Sequence, residues 1–258
     1  MSNTASWLLT TVSKAIKKTD SVRKQRSTPL KPPAAAKVVR TRLSPAERER
    51  QIIDGAISYF SEVGFSGQTR ELSKRLGITQ PLLYRYFSSK QALIDRVYQT
   101  VFEGRWRPSW IALLEDRSVP FRERLIEFYR QYSEATYQPD WIRIYMHAGL
   151  SMPTLNQRYI QLVRRELMPV YCRELRHYCG ISEEKNKISE QEVEFVWVLH
   201  GGIFYTAIRQ HVYNARAKVD FMTQVAFAVD NFLAGAELTY SSLLSGAEPS
   251  SRSRRRVA

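Results

Sequence analysis

The sequence predicts an all-α protein: an N-terminal three-helix domain containing a helix-turn-helix, followed by a C-terminal helical bundle. Three observations carry this. Helix-start signatures recur along the chain, glycine and proline fall between apolar stripes of helical spacing, and alternating β-branched runs are absent.

The clearest start is Ser44-Pro45-Ala46-Glu47. Ser44 can accept from the free N–H groups of the first turn, Pro45 sits where a missing N–H costs nothing, and Glu47 reaches back to complete a capping box. Ile52, Ile53, Ala56, Ile57, Phe60 and Val63 then form one stripe, and Gly64-Phe65 reads as a left-handed glycine stop with an apolar residue behind it. Thr69 to Leu76 makes a short helix with Leu72 and Leu76 inward, and Leu76-Gly77-Ile78 repeats the glycine stop. Thr79 caps the next helix, Pro81 is tolerated in its first turn, and Leu83 and Phe87 bury its inner face. Two short helices around a tight glycine turn are the helix-turn-helix layout, whose second helix enters the major groove of DNA. Ser88-Ser89-Lys90-Gln91 reads as a further capping box, opening a helix with Leu93, Ile94, Val97, Tyr98 and Val101 on its apolar side.

Gly104 and Pro108 mark a break. Pro120 starts a helix bearing Phe121, Leu125, Phe128 and Tyr132, and a shorter one follows from about Asp140. Pro153 opens a long helix reaching Tyr178, bent at Pro169. Ser189-Glu190-Gln191-Glu192 is another capping box, heading a helix with Val193, Val196, Trp197, His200, Phe204 and Ala207. Its apolar residues surround much of the circumference, which implies burial on more than one side. Gly201-Gly202 costs this helix about 1 kcal/mol per residue in propensity, which close helix approach would offset. The last helix carries Met222, Val225, Ala226, Val229, Phe232, Leu233 and Ala236.

Composition divides the chain into four parts: a basic, disordered extension over 1–43, the helix-turn-helix domain over 44–104, a helical domain over 105–245 and a second basic, disordered tail over 246–258. The net charge of +14 lies mostly in the tails. Residues 1–42 hold ten Lys and Arg against Asp20 alone, and residues 246–258 hold four Arg against Glu248. Such charge attracts polyanions without reading sequence, or simply keeps tails solvated. Residues 18–42 have the Lys, Arg, Ser, Thr and Pro content of a disordered segment, with one short helix possible over 6–17. No apolar run is long enough for a membrane helix, and the N-terminus lacks the apolar core of a secretory signal. Two cysteines, Cys172 and Cys179, are too few for a disulfide framework and suit a reducing cytoplasm. Glycine-rich phosphate loops, a Gly-x-Ser-x-Gly elbow and histidine pairs at metal-binding spacing are missing, so neither an enzyme, nor a cofactor, nor a metal site is expected.

Residues 48–102, with Gly64-Phe65, Leu76-Gly77-Ile78-Thr79, Leu83-Tyr84-Arg85-Tyr86-Phe87 and Ser89-Lys90-Gln91-Ala92-Leu93, resemble the DNA-binding domain of the tetracycline-repressor (TetR) family. The resemblance covers about a fifth of the chain, and order, spacing and capping agree together. Two positions depart from the family pattern: Tyr86 stands where a His is commonest, and Leu82 where a small or polar residue is usual. The resemblance implies a transcriptional regulator, a repressor, that binds palindromic operator DNA as a homodimer in the cytoplasm, at the nucleoid, and is released by a small molecule. In the repressor that gives the family its name, the residues matching Arg70 and Gln80 contact bases.

The candidate DNA-binding residues are Thr69, Arg70, Thr79, Gln80, Pro81, Leu82, Tyr84, Arg85, Tyr86 and Lys90. Arg70 can fork onto guanine O6 and N7, Gln80 can pair with adenine N6 and N7, and Leu82 can touch a thymine methyl. Tyr84, Tyr86 and Lys90 can hold phosphates and fix register. A solvated helix face is the alternative for Arg70 and Lys90, and partial packing for Tyr86. Trp110, Trp141, Arg143, His147, Trp197 and His200 are candidates for lining an effector pocket, with ordinary core packing as the alternative. By resemblance the last two helices pair with their symmetry mates, which nominates Val196, Phe204, Val225, Val229 and Phe232 for the dimer interface. A second function class stays open: a DNA-dependent architectural or protein-interaction factor using the same helix-turn-helix.

Overall fold

The computed structural model describes residues 43–182 and 187–245. The two basic extensions, 1–42 and 246–258, and the short helix expected over 6–17 lie outside the described residues. Those described form eleven α-helices and one 3₁₀ turn, with no strand among them. In chain order these are α1 (Pro45–Val63), α2 (Thr69–Leu76), α3 (Gln80–Tyr86), α4 (Lys90–Val101), the 3₁₀ turn (Glu103–Arg105), α5 (Ser109–Glu115), α6 (Phe121–Thr136), α7 (Pro139–Ser151), α8 (Pro153–Glu166), α9 (Met168–Tyr178), α10 (Glu190–His211) and α11 (Phe221–Ser245).

Local chemistry accounts for the starts. Ser44 Oγ accepts from Glu47 N at 3.2 Å and Ser44 N donates to Glu47 Oε2 at 2.8 Å, the two halves of the capping box. Ser189 and Glu192 repeat it at α10. At α4 the cap is Ser89, one residue later than the expected box. Its Oγ accepts from Ala92 N at 3.0 Å, and the third helical position is alanine, so no reciprocal bond forms; Gln91 donates to Asp95 instead. Gly77 ends α2 in the left-handed helical region, φ 64° and ψ 31°, as expected. Gly64 differs: its φ of 73° is positive, but its ψ of −178° turns the chain straight out of α1 rather than into a left-handed turn. The expected long helix from Pro153 to Tyr178 is two helices, divided at Leu167, because Pro169 lacks an N–H and its ring obstructs the carbonyl four residues back.

One continuous apolar cluster runs through the described residues. Its N-terminal part is Ile52, Phe60, Leu72, Leu83, Leu93 and Val97; its C-terminal part includes Trp110, Leu125, Phe128, Ile144, Val196 and Val229. Each such side chain contributes roughly 1.5–3 kcal/mol when fully buried.

Two buried carboxylates fix the bundle's register. Glu174 on α9 accepts from Arg124 at 2.7 Å and from Arg117 at 2.9 Å, while Arg124 also donates to the Leu114 carbonyl. Glu192 on α10 takes both arms of the Arg176 guanidinium at 2.7 Å and the Tyr240 hydroxyl at 3.0 Å, tying α9, α10 and α11 together. Burial alone would raise the Glu192 carboxyl. The Arg176 guanidinium, with Ser189 and Tyr240, outweighs it and holds the group below the ordinary carboxylate range. Because the folded pKa is depressed, this contribution is complete above the unfolded value of about 4.5 and disappears as pH falls through the folded one. Glu192→Gln is expected to lose about 3 kcal/mol at neutral pH, since it leaves Arg176 buried without its counter-charge. Denaturant titrations at pH 7 and pH 3.5 check this: the gap between wild type and variant should narrow at the lower pH.

Candidate nucleic-acid interface and aromatic cavity

Helices α2 and α3 meet across Gly77 and Thr79. Thr79 Oγ1 accepts from Leu82 N at 3.3 Å and so starts α3. The centre of the arrangement is Thr69 at the first position of α2. It is buried, and its hydroxyl accepts from Gln80 Nε2 at 3.2 Å and bonds the Tyr84 hydroxyl at 3.0 Å. Thr69 thus holds Gln80 and Tyr84 from beneath, and the Thr79 hydroxyl caps α3 as its position in the sequence suggests. Arg70 on α2 and Pro81, Tyr84 and Arg85 on α3 stand exposed. Gln80, Leu82 and Lys90 are half-buried, and Tyr86 packs partly against the core. The α2 orientation is braced from α1: Arg75 pairs with Glu62 at 2.6 Å and lies 4.9 Å over the Tyr59 ring.

Helices α1 to α4 join the bundle through rings. Phe102, just past α4, is buried and lies 5.0 Å from Tyr98 and from Trp141, and 5.6 Å from Tyr159. Outside it, Arg158 covers the Tyr98 ring at 4.2 Å and pairs with Glu103 at 2.9 Å. A second junction is α1 against α7, where a Cβ on Gly64 would come within 2.9 Å of His147 Nδ1.

Beyond Trp141 lies a cavity of about 60 Å³. Trp141, Trp197 and His200 line it, as the sequence suggests, together with Tyr132, Tyr137, Tyr145, Tyr159 and Phe204. The other three expected pocket residues are elsewhere. Trp110 is wholly buried in the core, edge-on to Trp106 and Phe128. Arg143 Nε donates to the His211 carbonyl at 3.2 Å, and His147 faces Gly64. From sequence the tyrosines are candidates for lining a cavity only as a group; the signal is their density through α6, α7 and α8. Tyr132 and Tyr159 share a hydrogen bond at 2.6 Å, and Tyr129 Oη lies 3.4 Å from His200 Nδ1. Burial pushes the His200 imidazole down to about 4, so it is neutral at pH 7.

Of the expected dimer residues, Val196, Val225 and Val229 are buried within the chain, half-buried Phe232 lies 5.1 Å from the Phe195 ring, and half-buried Phe204 faces the cavity. What α10 and α11 leave outward is a neighbouring stripe: Val198 at 74% exposure, Gly201, Gly202 and Tyr205 on α10, with Phe227 and Leu238 on α11. A Cβ on either glycine would meet nothing within 4 Å. Among the described residues no helix is long and apolar enough to cross a membrane.

Residues 52–97 match the model of the bacterial regulatory proteins, tetR family, which bears out the resemblance of this segment. The tetracycline repressor protein class D of Escherichia coli is 32% identical over 88 residues, covering 30% of this chain and 39% of that protein. The class A protein from transposon 1721, also of Escherichia coli, is 32% identical over 85 residues with the same coverage. The chain thus spans about two-fifths of the length of these curated relatives. Solved structures extend the likeness to the bundle. A putative transcriptional regulator from Pseudomonas aeruginosa PAO1 superposes with a TM-score of 0.57 at 17% identity, over 80% of this chain and 98% of that one. A TetR-like transcriptional regulator from Rhodococcus sp. RHA1 gives 0.56 at 22%, over 75% and 100%. At these identities the shared property is the fold, a helix-turn-helix unit followed by a helical bundle.

Gly64→Ala is expected to destabilise the protein by about 1–3 kcal/mol, from its positive φ and from the crowding with His147. In a double-mutant cycle, His147→Ala should recover the steric part and leave the backbone part. Thermal or denaturant unfolding of the four proteins checks it.

Proposed function

We propose, from the premise that residues 52–97 carry a tetR-family reading segment, that this protein is a transcriptional repressor that binds palindromic operator DNA as a homodimer and is released by a small molecule. The observation that supports this most is the α2–α3 pair: Arg70 and Arg85 are exposed on it, and Gln80 and Tyr84 are both held by one buried hydroxyl. A reading residue fixed before contact loses less freedom on binding. Gln80 reads adenine and Arg70 guanine, each good bidentate pair discriminating by about 1–3 kcal/mol, while Tyr84, Arg85 and Lys90 hold phosphates. The protein acts at the nucleoid.

Two copies bring two α3 helices into major grooves about one helical turn apart, or a multiple of that. The outward stripe of Val198, Tyr205, Phe227 and Leu238 supports a partner there, because it is apolar and its glycines admit a close helix approach. Release runs through shared walls. α7 lines the cavity with Trp141 and Tyr145 and touches α1 with His147, and Phe102 rests on Trp141. A ligand that widens the cavity moves α7 and the end of α4, changing the separation of the reading helices. A coupling of about 1–3 kcal/mol shifts operator affinity 5–150-fold.

Selection from randomised duplexes near physiological salt is expected to enrich a palindrome. Arg70→Ala and Gln80→Ala should each relax preference at distinct positions, and Thr69→Val should relax the position read by Gln80 with a smaller loss. Binding without enrichment would favour the architectural reading, with the charged tails dominating. Separately, Val198→Glu with Phe227→Glu is expected to give monomers by sedimentation and to weaken duplex binding at least 10-fold, with unfolding changed little because both side chains are exposed.

A further inference from the structure

The cavity's lining chemistry narrows its ligand. Its walls are aromatic and aliphatic, with no Asp, Glu, Lys or Arg among the lining residues. His200, the one histidine in the lining, is kept neutral by burial. A charged ligand would enter without a counter-charge, at a high desolvation cost. Two wall residues also bury donors that have no partner: the Tyr137 hydroxyl and the Trp141 indole N–H. Both side chains are more than nine-tenths buried. Leaving a buried donor unmade is costly, and such groups in native proteins call for an explanation. An indole N–H only donates, so what completes it is an acceptor. The same positive donor ends oppose a quaternary ammonium ion, which an aromatic box would otherwise suit.

Size sets the remaining bound. The cavity's volume of about 60 Å³ is smaller than the ~150 Å³ of an engineered cavity that holds benzene. It reaches the surface at Ile160, 40% exposed, and at Gly201, while the half-buried Tyr145 and Trp197 form walls that can turn. One ring fits after such a movement; a fused polycycle does not.

We infer that the cavity takes a neutral, single-ring aromatic molecule bearing a carbonyl-type acceptor, bound by donation from Tyr137 and Trp141. This rests on the reading of the bundle as an effector domain. The test uses three probes on the full chain: acetophenone, ethylbenzene as its match in shape without an acceptor, and benzyltrimethylammonium as the cation. Affinities come from ligand-observed NMR titration. Acetophenone is expected to bind at least 10-fold more tightly than ethylbenzene, and benzyltrimethylammonium more weakly than either. In Tyr137→Phe/Trp141→Phe the preference for acetophenone should fall to 3-fold or less, while ethylbenzene affinity, which reports an intact cavity, stays within 3-fold of wild type. Should ethylbenzene binding be lost in the double variant, Tyr137→Phe alone, which removes one hydroxyl, is expected to cut the preference at least 2-fold. No acceptor preference, tighter binding of the cation, no binding of any probe, or a preference that survives in Tyr137→Phe would overturn the inference. Duplex binding of the same samples separates the two readings: a protein that selects its palindrome yet shows any of these outcomes is an operator reader with a different ligand.

Discussion

The packing of Phe102 against Trp141 is the contact on which the arrangement depends. Phe102 follows the last turn of α4, and its ring is enclosed by Tyr98 from its own helix, Trp141 from α7 and Tyr159 from α8. Interiors packed to this density transmit displacement rather than absorb it. Trp141 has Phe102, at the end of α4, on one side and the cavity on the other. The wall of the cavity and the footing of the helix-turn-helix unit are therefore the same indole ring.

Around this soft aromatic centre the charges act as pins. Glu174 and Glu192 lie in the interior, and each accepts from at least one buried arginine. A buried ion pair adds little net stability, but displacing one member strands the other at a cost of about 3–5 kcal/mol. A slide of α9 against α6 or α10 would strand one of these carboxylates. By contrast, pairs such as Arg122 with Asp230 or Arg130 with Glu134 are half-exposed, and such pairs contribute about 0–1 kcal/mol each. The ties of α7 and α8 to other elements, Arg105 with Asp140, Arg158 with Glu103 and Arg164 with Glu190, are likewise partly exposed, and the cavity walls these helices supply are mostly rings.

What the sequence made legible follows from how local the cause is. Ser44 with Glu47, Gly77 and Thr79 with Leu82 N act within four residues, so α1, α2 and α3 were readable before any tertiary contact. Ser88 against Ser89 was decided by a single position, since either serine can cap. The orientation of Tyr137, Tyr145 and Tyr159 depends on which neighbours arrive from other helices, so the cavity was only partly legible through Trp141, Trp197 and His200. Val196, Val225 and Val229 misled because α10 and α11 carry apolar residues on two faces. The larger inward set serves the chain's own core, and Val198, Phe227 and Leu238 make a thinner outward one. The role of Thr69 was hidden for the same reason: its hydrogen bonds reach residues eleven and fifteen positions along.

Gly201 and Gly202 have an engineering consequence. Neither requires its missing Cβ inside the isolated chain, and both lie mid-helix, where alanine is better by about 0.8–1.0 kcal/mol per residue. A screen that rewards thermal resistance of the single chain would replace both. In the homodimer proposed above, the same added methyl groups would hold the partner's backbone away from α10. Selection for a hardier monomer and selection for association thus pull against each other at two adjacent positions, a trade-off set by one missing carbon atom on each.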